Sequence, residues 1–102
     1  MQITSSKLLL NSLNTLYVNK QEDIEKLTFV LSSDTRLRIL DLADGRNTRN
    51  DILNSIDINS SALTKHLKVF MELPEHLQLL NKIKDGNNVY YTKKYDFILT
   101  AL

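Results

Sequence analysis

Residues 59–70 read Asn-Ser-Ser-Ala-Leu-Thr-Lys-His-Leu-Lys-Val-Phe, and their spacing predicts an amphipathic helix that organises the fold. His66 lies toward the apolar arc of this helix. Asn59 is a good N-cap, because its side-chain oxygen can accept from the free N–H groups of the first turn. The outer face carries short hydroxyl groups and then cations: Ser60, Ser61, Thr64, Lys65 and Lys68. This face suits a DNA major groove, and taken alone it is also the face of an ordinary solvated helix.

A second short helix is predicted directly before this one. Residues 48–51, Thr-Arg-Asn-Asp, resemble a capping box with Asp in place of the usual Glu. The connection over 57–59 is tight, and two short helices joined this closely form a helix-turn-helix. Arg46, Thr48 and Arg49 stand at the helix start, where free backbone donors readily hold a phosphate. Two arginines on an ordinary solvated surface fit the same pattern.

A basic β-hairpin is predicted after the helix-turn-helix. Residues 80–84 and 89–93 are strand-like, and the Asp-Gly-Asn-Asn connection at 85–88 tolerates the positive φ that tight hairpins need. The hairpin carries Lys82 and Lys84, with Asn87 and Asn88 at its tip. A hairpin in this position is a wing.

The remaining apolar patterns predict further helices over residues 5–18, 21–32, 35–44 and 95–102. Asp34 is the expected cap of the third helix, and Gly45 is expected to close it in the left-handed conformation. The predicted fold class is mainly α with a small β-hairpin, a winged helix-turn-helix with the order α-α-α-α-α-β-β-α. Both terminal helices are apolar enough to require burial against the domain or against a partner chain.

Composition favours one globular domain. The chain has 102 residues, 42% of them hydrophobic and 25% charged, with no cysteine. No apolar run reaches membrane-spanning length and no signal-peptide pattern is present, so we expect a soluble protein of the cytoplasm. The net charge of +1 is low for a nucleic-acid binder, but from Arg46 onward the cations come in short groups that one face could collect.

Three stretches resemble the ArsR-type winged-helix repressors, a family that includes metal-responsive regulators. Residues 31–40, LSSDTRLRIL, are similar to the start of the family's second core helix. Residues 60–70 are similar to its recognition helix, and residues 85–91, DGNNVYY, to its wing. The matches fall in the family's order within residues 21–94. The chain departs from the pattern at Asp57, where a Gly is common, in a longer turn over 71–77, and at the wing tip, where Asn replaces Arg.

The resemblance implies a sequence-specific DNA-binding regulator, a repressor, that binds a palindromic operator as a homodimer. Residues 21–94 would form the winged core, while 1–20 and 95–102 would be dimerisation helices. The expected dimer residues are Leu9, Leu13, Leu16, Tyr17, Phe97, Ile98 and Leu102. The expected DNA contacts are Arg46, Thr48, Arg49, Ser60, Ser61, Thr64, Lys65, Lys68, Lys82, Lys84, Asn87 and Asn88.

The metal chemistry of the family does not carry over to this chain. Its thiolate motif falls on residues 50–54, which here read Asn-Asp-Ile-Leu-Asn. His66 is expected to be a hydrogen-bonded structural residue, and His76 to be exposed in the longer turn. Two unmatched histidines do not form a zinc site, so neither a metal nor another cofactor is expected.

Two other functions compete with DNA binding. A winged helix used for protein contacts in a transcription or replication assembly would suit the low net charge and the missing wing Arg. An enzyme is disfavoured, since no nucleophile–base pair, Gly-rich phosphate loop or paired carboxylates stand out. The Asn-, Ile- and Lys-rich composition is typical of an AT-rich genome, which suggests a microbial, viral or plasmid origin. A cytoplasmic DNA-binding regulator is expected to be associated with the nucleoid.

Overall fold

The fold alternates short helices with strands. The computed structural model describes residues 14–100. Its α-helices are α1 (Gln21–Leu31), α2 (Asp34–Leu42), α3 (Arg49–Ser55) and α4 (Ser60–Met71), and a 3₁₀ turn covers Glu75–Leu77. Its strands are β1 (Thr15–Val18), β2 (Asp44–Thr48), β3 (Leu80–Asp85), β4 (Asn88–Lys93) and β5 (Phe97–Thr100).

The predicted winged helix-turn-helix is confirmed. Helices α3 and α4 form the helix-turn-helix, and β3 and β4 form the hairpin, paired from Leu80↔Lys93 to Asp85↔Asn88. Gly86 has a φ of 61° at the tip, the conformation expected from the Asp-Gly sequence. Strand β2 joins the other side of β4, so the antiparallel sheet has the order β2-β4-β3. This third strand was not predicted from the sequence.

Side-chain caps start α3 and α4 as predicted. The Thr48 hydroxyl accepts from the backbone N–H of Asp51 at 3.1 Å, and the Asp51 carboxylate accepts from the N–H of Thr48 at 2.9 Å. The Asn59 side chain accepts from the N–H of Ala62 at 2.8 Å. These bonds satisfy donors that a helix start leaves free, so the start of each helix is encoded locally.

Both ends of α2 differ from the prediction. Ser33 is the N-cap and accepts from the Arg36 N–H at 3.2 Å, while Asp34 is the first helical residue. The helix ends at Leu42, before Gly45, because the Asp44 carboxylate accepts from the N–H groups of Arg46 and Asn47 and turns the chain into β2. Gly45 does adopt a positive φ, 79°, but within β2 rather than at a helix end.

The helices predicted at the termini are wrong where the structure describes them. Strands β1 and β5 pair in parallel, from Thr15↔Phe97 to Val18↔Thr100. The Asp96 N–H donates to the carbonyl of Asn14 at 2.9 Å, so opposite ends of the chain are joined. Each segment therefore pairs the backbone groups along one of its edges with the other segment, and β-branched and aromatic side chains favour this extended form. The predicted dimer residues Leu9, Leu13 and Leu102 lie outside the described residues.

The core lies between α4, the other helices and the sheet. The largest fully buried side chains among residues 14–100 are Phe70, Ile39, Ile52, Leu63 and Leu77. The apolar arc predicted for α4 faces this core, so the polar arc must face outward. No helix within residues 14–100 is long and apolar enough to cross a membrane.

Candidate nucleic-acid interface

The polar arc of α4 is open to solvent along its length. Ser60, Ser61, Thr64, Lys65 and Lys68 are all exposed. On the opposite side Leu63 and Phe70 have no accessible surface, so core packing holds the helix in one orientation. The arc therefore presents hydroxyls at the helix start and cations further along, as the spacing predicted.

Arg49 connects α3 to the first turn of α4. Its Nη2 donates to the Ser60 carbonyl and to the Ser60 hydroxyl, each at 3.2 Å, and to the Thr64 hydroxyl at 2.7 Å. Thr64 in turn donates to the Ser60 carbonyl at 3.1 Å. The guanidinium thus orients two hydroxyls of the polar arc. Arg49 was predicted from the sequence to hold a phosphate, and this positioning contact was not predicted.

A groove of about 400 Å³ separates α4 from the wing. It brings together four of the predicted contact residues, Arg49, Thr64, Lys68 and Lys82. Tyr91 lies buried in its wall, and burial raises the pKa of the Tyr91 hydroxyl while the charge of Arg49 acts in the opposite direction. Cations from three elements therefore border one concave surface, which is an arrangement that suits an anionic ligand.

The other predicted residues lie around this groove in different settings. Arg46 is exposed on β2, whereas the Thr48 hydroxyl is engaged in capping α3. Lys68 Nζ is 3.9 Å from a Glu72 carboxylate oxygen, but both side chains are largely exposed and the pair contributes little to stability. On the wing, Lys84, Asn87 and Asn88 are exposed near the tip.

Arg36 is a buried residue that the sequence analysis did not single out. It donates to the Val30 carbonyl at 2.6 Å, to the Phe29 carbonyl at 3.0 Å and to Nδ1 of His66 at 3.2 Å. Desolvation and the nearby Arg36 charge lower the pKa of His66. His66 is therefore the hydrogen-bonded structural residue that was predicted. The sequence signal for this buried role was the position of a charged residue, Arg36, within the apolar run of α2.

His76 is mostly exposed, as predicted, but it is not isolated. Its Nε2 lies 3.1 Å from a carboxylate oxygen of Asp23, a buried residue of α1. This contact ties the 3₁₀ turn to the start of α1. Within the part of the chain that the structure describes, no group of three or more His, Asp or Glu side chains could hold a metal ion.

Comparison with known proteins shows a likeness in fold rather than in sequence family. No protein-family model matches the chain, and no curated protein is significantly similar to it. Among solved structures, HlyU from Vibrio cholerae N16961 is similar with a TM-score of 0.61 and 24% sequence identity, over 74% of this chain and 78% of HlyU. This likeness establishes the winged helix-turn-helix fold.

Proposed function

We propose that this protein is a transcription regulator that binds double-stranded DNA through α4 and the wing. The observation that carries the proposal is the exposed polar arc of α4, whose first hydroxyls are oriented by Arg49 and which borders a groove lined by lysines. Helix-turn-helix proteins place the start of their second helix against base edges in the major groove. The winged fold shared with HlyU and the ArsR-like motifs support this reading.

The proposed DNA contacts fall into two chemical groups, contacts to base edges and contacts to phosphates. Ser60, Ser61, Thr64 and Lys65 read base edges, because they lie on the first turns of α4. Phosphates are held by Arg46, Thr48 and Lys68 and by the wing residues Lys82, Lys84, Asn87 and Asn88. Arg49 acts chiefly by fixing Ser60 and Thr64, and its charge adds to the field of the groove.

We also propose a homodimer, formed through strands rather than through helices. Phe97 and Leu99 on β5 are 47% and 39% exposed, and Tyr17 on β1 is 54% exposed. Neither strand carries a charged residue, so the outer face of this ribbon is apolar. Dimeric helix-turn-helix proteins bind half-sites about 34 Å apart, one turn of DNA, so a two-fold dimer of this chain would select a palindromic operator.

Within this proposal the protein represses transcription in the cytoplasm by occupying its operator. It acts by binding rather than by catalysis, and it resembles ArsR-type regulators without using their metal ligands. The low net charge of +1 and the Asn87-Asn88 wing tip favour a second candidate, a winged helix that binds another protein. The two candidates differ in whether naked DNA is bound.

The test is binding of the full chain to the DNA upstream of its own gene, against a scrambled competitor, over a series of salt concentrations. Arg46→Ala and Lys68→Ala should each reduce the slope of log K against log[salt] by about one unit. Lys20→Ala, an exposed lysine outside the proposed interface, is the matched control and should leave the slope unchanged. Folded protein that binds no DNA at low salt would rule out the regulator and leave the protein-contact module.

A further inference from the structure

A second groove lies between α1 and the C-terminal end of α4, outside the candidate interface. Its volume is about 530 Å³, within the range of small-molecule sites. Val30 and Leu73 are buried beneath it, Val69 and Pro74 are half-buried, and Phe29 stands at its side. The groove thus offers a continuous apolar lining.

Phe29 is the most exposed large apolar side chain among residues 14–100, with 64% of its surface accessible. Leaving so much aromatic surface in water is unfavourable, at about 25 cal/mol per Å² of apolar area. The face of an aromatic ring also carries a partial negative charge and attracts cations. The Arg36 guanidinium already lies 5.5 Å from the Phe29 ring centroid. A ligand that covered the accessible part of the ring would gain both apolar and electrostatic contact.

The rim of this groove is acidic. Glu22, Glu25 and Glu72 line it, and Lys26 is the base among the lining residues. Glu25 accepts from the side-chain amide of Gln21 at 3.2 Å, and within residues 14–100 neither Glu22 nor Glu25 pairs with a base. The groove therefore carries a local negative charge although the chain as a whole has a net charge of +1. A ligand that is attracted electrostatically to this groove must therefore interact with the nearby carboxylates rather than with the net charge of the protein.

We propose that this groove is a binding site for a small organic cation with an apolar body. The apolar part would lie on Val30, Leu73 and the Phe29 ring, and the positive centre would lie among the carboxylates. Neither a neutral apolar compound nor an organic anion would use both features. Val69 lies on α4, and Glu72 and Leu73 directly follow its last residue, Met71. Glu72 also lies beside Lys68, so the bound cation would contact the end of the helix that forms the candidate interface.

Two probes of equal shape and opposite charge test the site on the full chain without DNA. Tetraphenylphosphonium and tetraphenylborate are titrated separately by calorimetry. We expect the phosphonium to bind at a single site at least about tenfold more tightly than the borate, because the carboxylates attract one and repel the other. Equal affinities, or tighter binding of the borate, would overturn the proposal. Since DNA takes no part, the result is independent of the proposed regulator function.

Matched variants locate the site. The double variant Glu22→Gln/Glu25→Gln should bind the phosphonium several-fold more weakly and should bind the borate no more weakly than the wild type. The matched control is Glu75→Gln, because Glu75 is exposed and lies outside the groove, and it should change the affinity for neither probe. Phe29→Ala should weaken phosphonium binding, and Leu37→Ala, an exposed apolar residue elsewhere, should not. Each variant is first checked for a wild-type unfolding transition. Unchanged phosphonium binding in both groove variants would place the cation elsewhere and contradict the proposal.

Discussion

The Arg36 guanidinium lies 3.2 Å from Nδ1 of His66 and joins α2 to α4. Arginine can only donate, so Nδ1 must accept and the neutral ring carries its proton on Nε2. The same guanidinium holds two carbonyls at the end of α1, where a helix leaves acceptors unpaired. One buried cation therefore fixes the meeting point of three helices, including the helix proposed to read DNA.

Replacing Arg36 with Met should lower the free energy of unfolding by about 2–3 kcal/mol, because buried acceptors lose a charged donor. Arg38→Met is the matched control in the same helix. Arg38 is exposed and makes a single 3.3 Å bond to the Ser55 carbonyl, so its loss should cost about 0.5 kcal/mol or less. Urea unfolding measures both. Equal costs for the two variants would show that the Arg36 contacts do not stabilise the fold.

Stability should fall in mild acid because of His66. Its folded-state pKa lies below 6.5, owing to burial and to Arg36, so the unfolded chain takes up a proton first as the pH drops. The contribution of neutral His66 to the free energy of unfolding is fully present above pH 6.5 and is lost as the pH falls toward the folded-state pKa of His66. Urea unfolding from pH 8 to pH 5 should show a smaller loss in His66→Gln, whose side chain can still accept from Arg36. Identical pH profiles would contradict this role.

Two glycines with positive φ should respond differently to alanine. At Gly45 an added Cβ would lie 2.9 Å from Cγ2 of Thr92, whereas at Gly86 nothing lies within 4 Å. Both variants suffer the left-handed backbone cost of about 1–2 kcal/mol, and Gly45→Ala should lose roughly 1 kcal/mol more because the stiff Thr92 side chain must move. Thermal or urea unfolding gives the comparison. A larger loss in Gly86→Ala would show that the Thr92 contact has no effect.

Charges on β5 should dissociate the proposed dimer. Phe97→Glu combined with Leu99→Glu places two carboxylates on the apolar ribbon, and burying them unpaired against a second copy is costly. Ile83→Glu is the matched control, since Ile83 is also an exposed apolar strand residue, at 45%, but lies on the wing. Light scattering should give a dimer for the wild type and the control, and a monomer for the double variant. A monomeric wild type, or a dimeric double variant, would refute the interface.

Features set by near neighbours in sequence were predictable. The Thr48–Asp51 box, the Asn59 cap and the hairpin around Gly86 each depend on residues within a few positions of one another. Strands β1 and β5 could not be recognised this way, since each is paired with the other end of the chain. A short apolar run fits a strand or a helix turn equally, and only its distant partner decides between them.

The candidate interface likewise contains some features that were predictable from the sequence and others that were not. Helical spacing alone placed Ser60, Thr64 and Lys65 on the outer arc of α4. The role of Arg49 depends on the angle between α3 and α4, which brings its guanidinium to the Thr64 hydroxyl. The Arg36 contact with His66 likewise depends on how α2 packs on α4. The positioning roles of these two arginines depend on tertiary geometry, which no local sequence pattern encodes.

Selection from a pool of random DNA duplexes tests the central claim most directly. The full chain should enrich one inverted repeat, with half-site centres about 10–10.5 base pairs apart, because a symmetric pair of α4 helices meets the major groove once per turn. Thr64→Ala and Lys65→Ala should alter the enriched bases within each half-site. A pool that remains random after repeated selection by folded protein would contradict sequence-specific DNA binding.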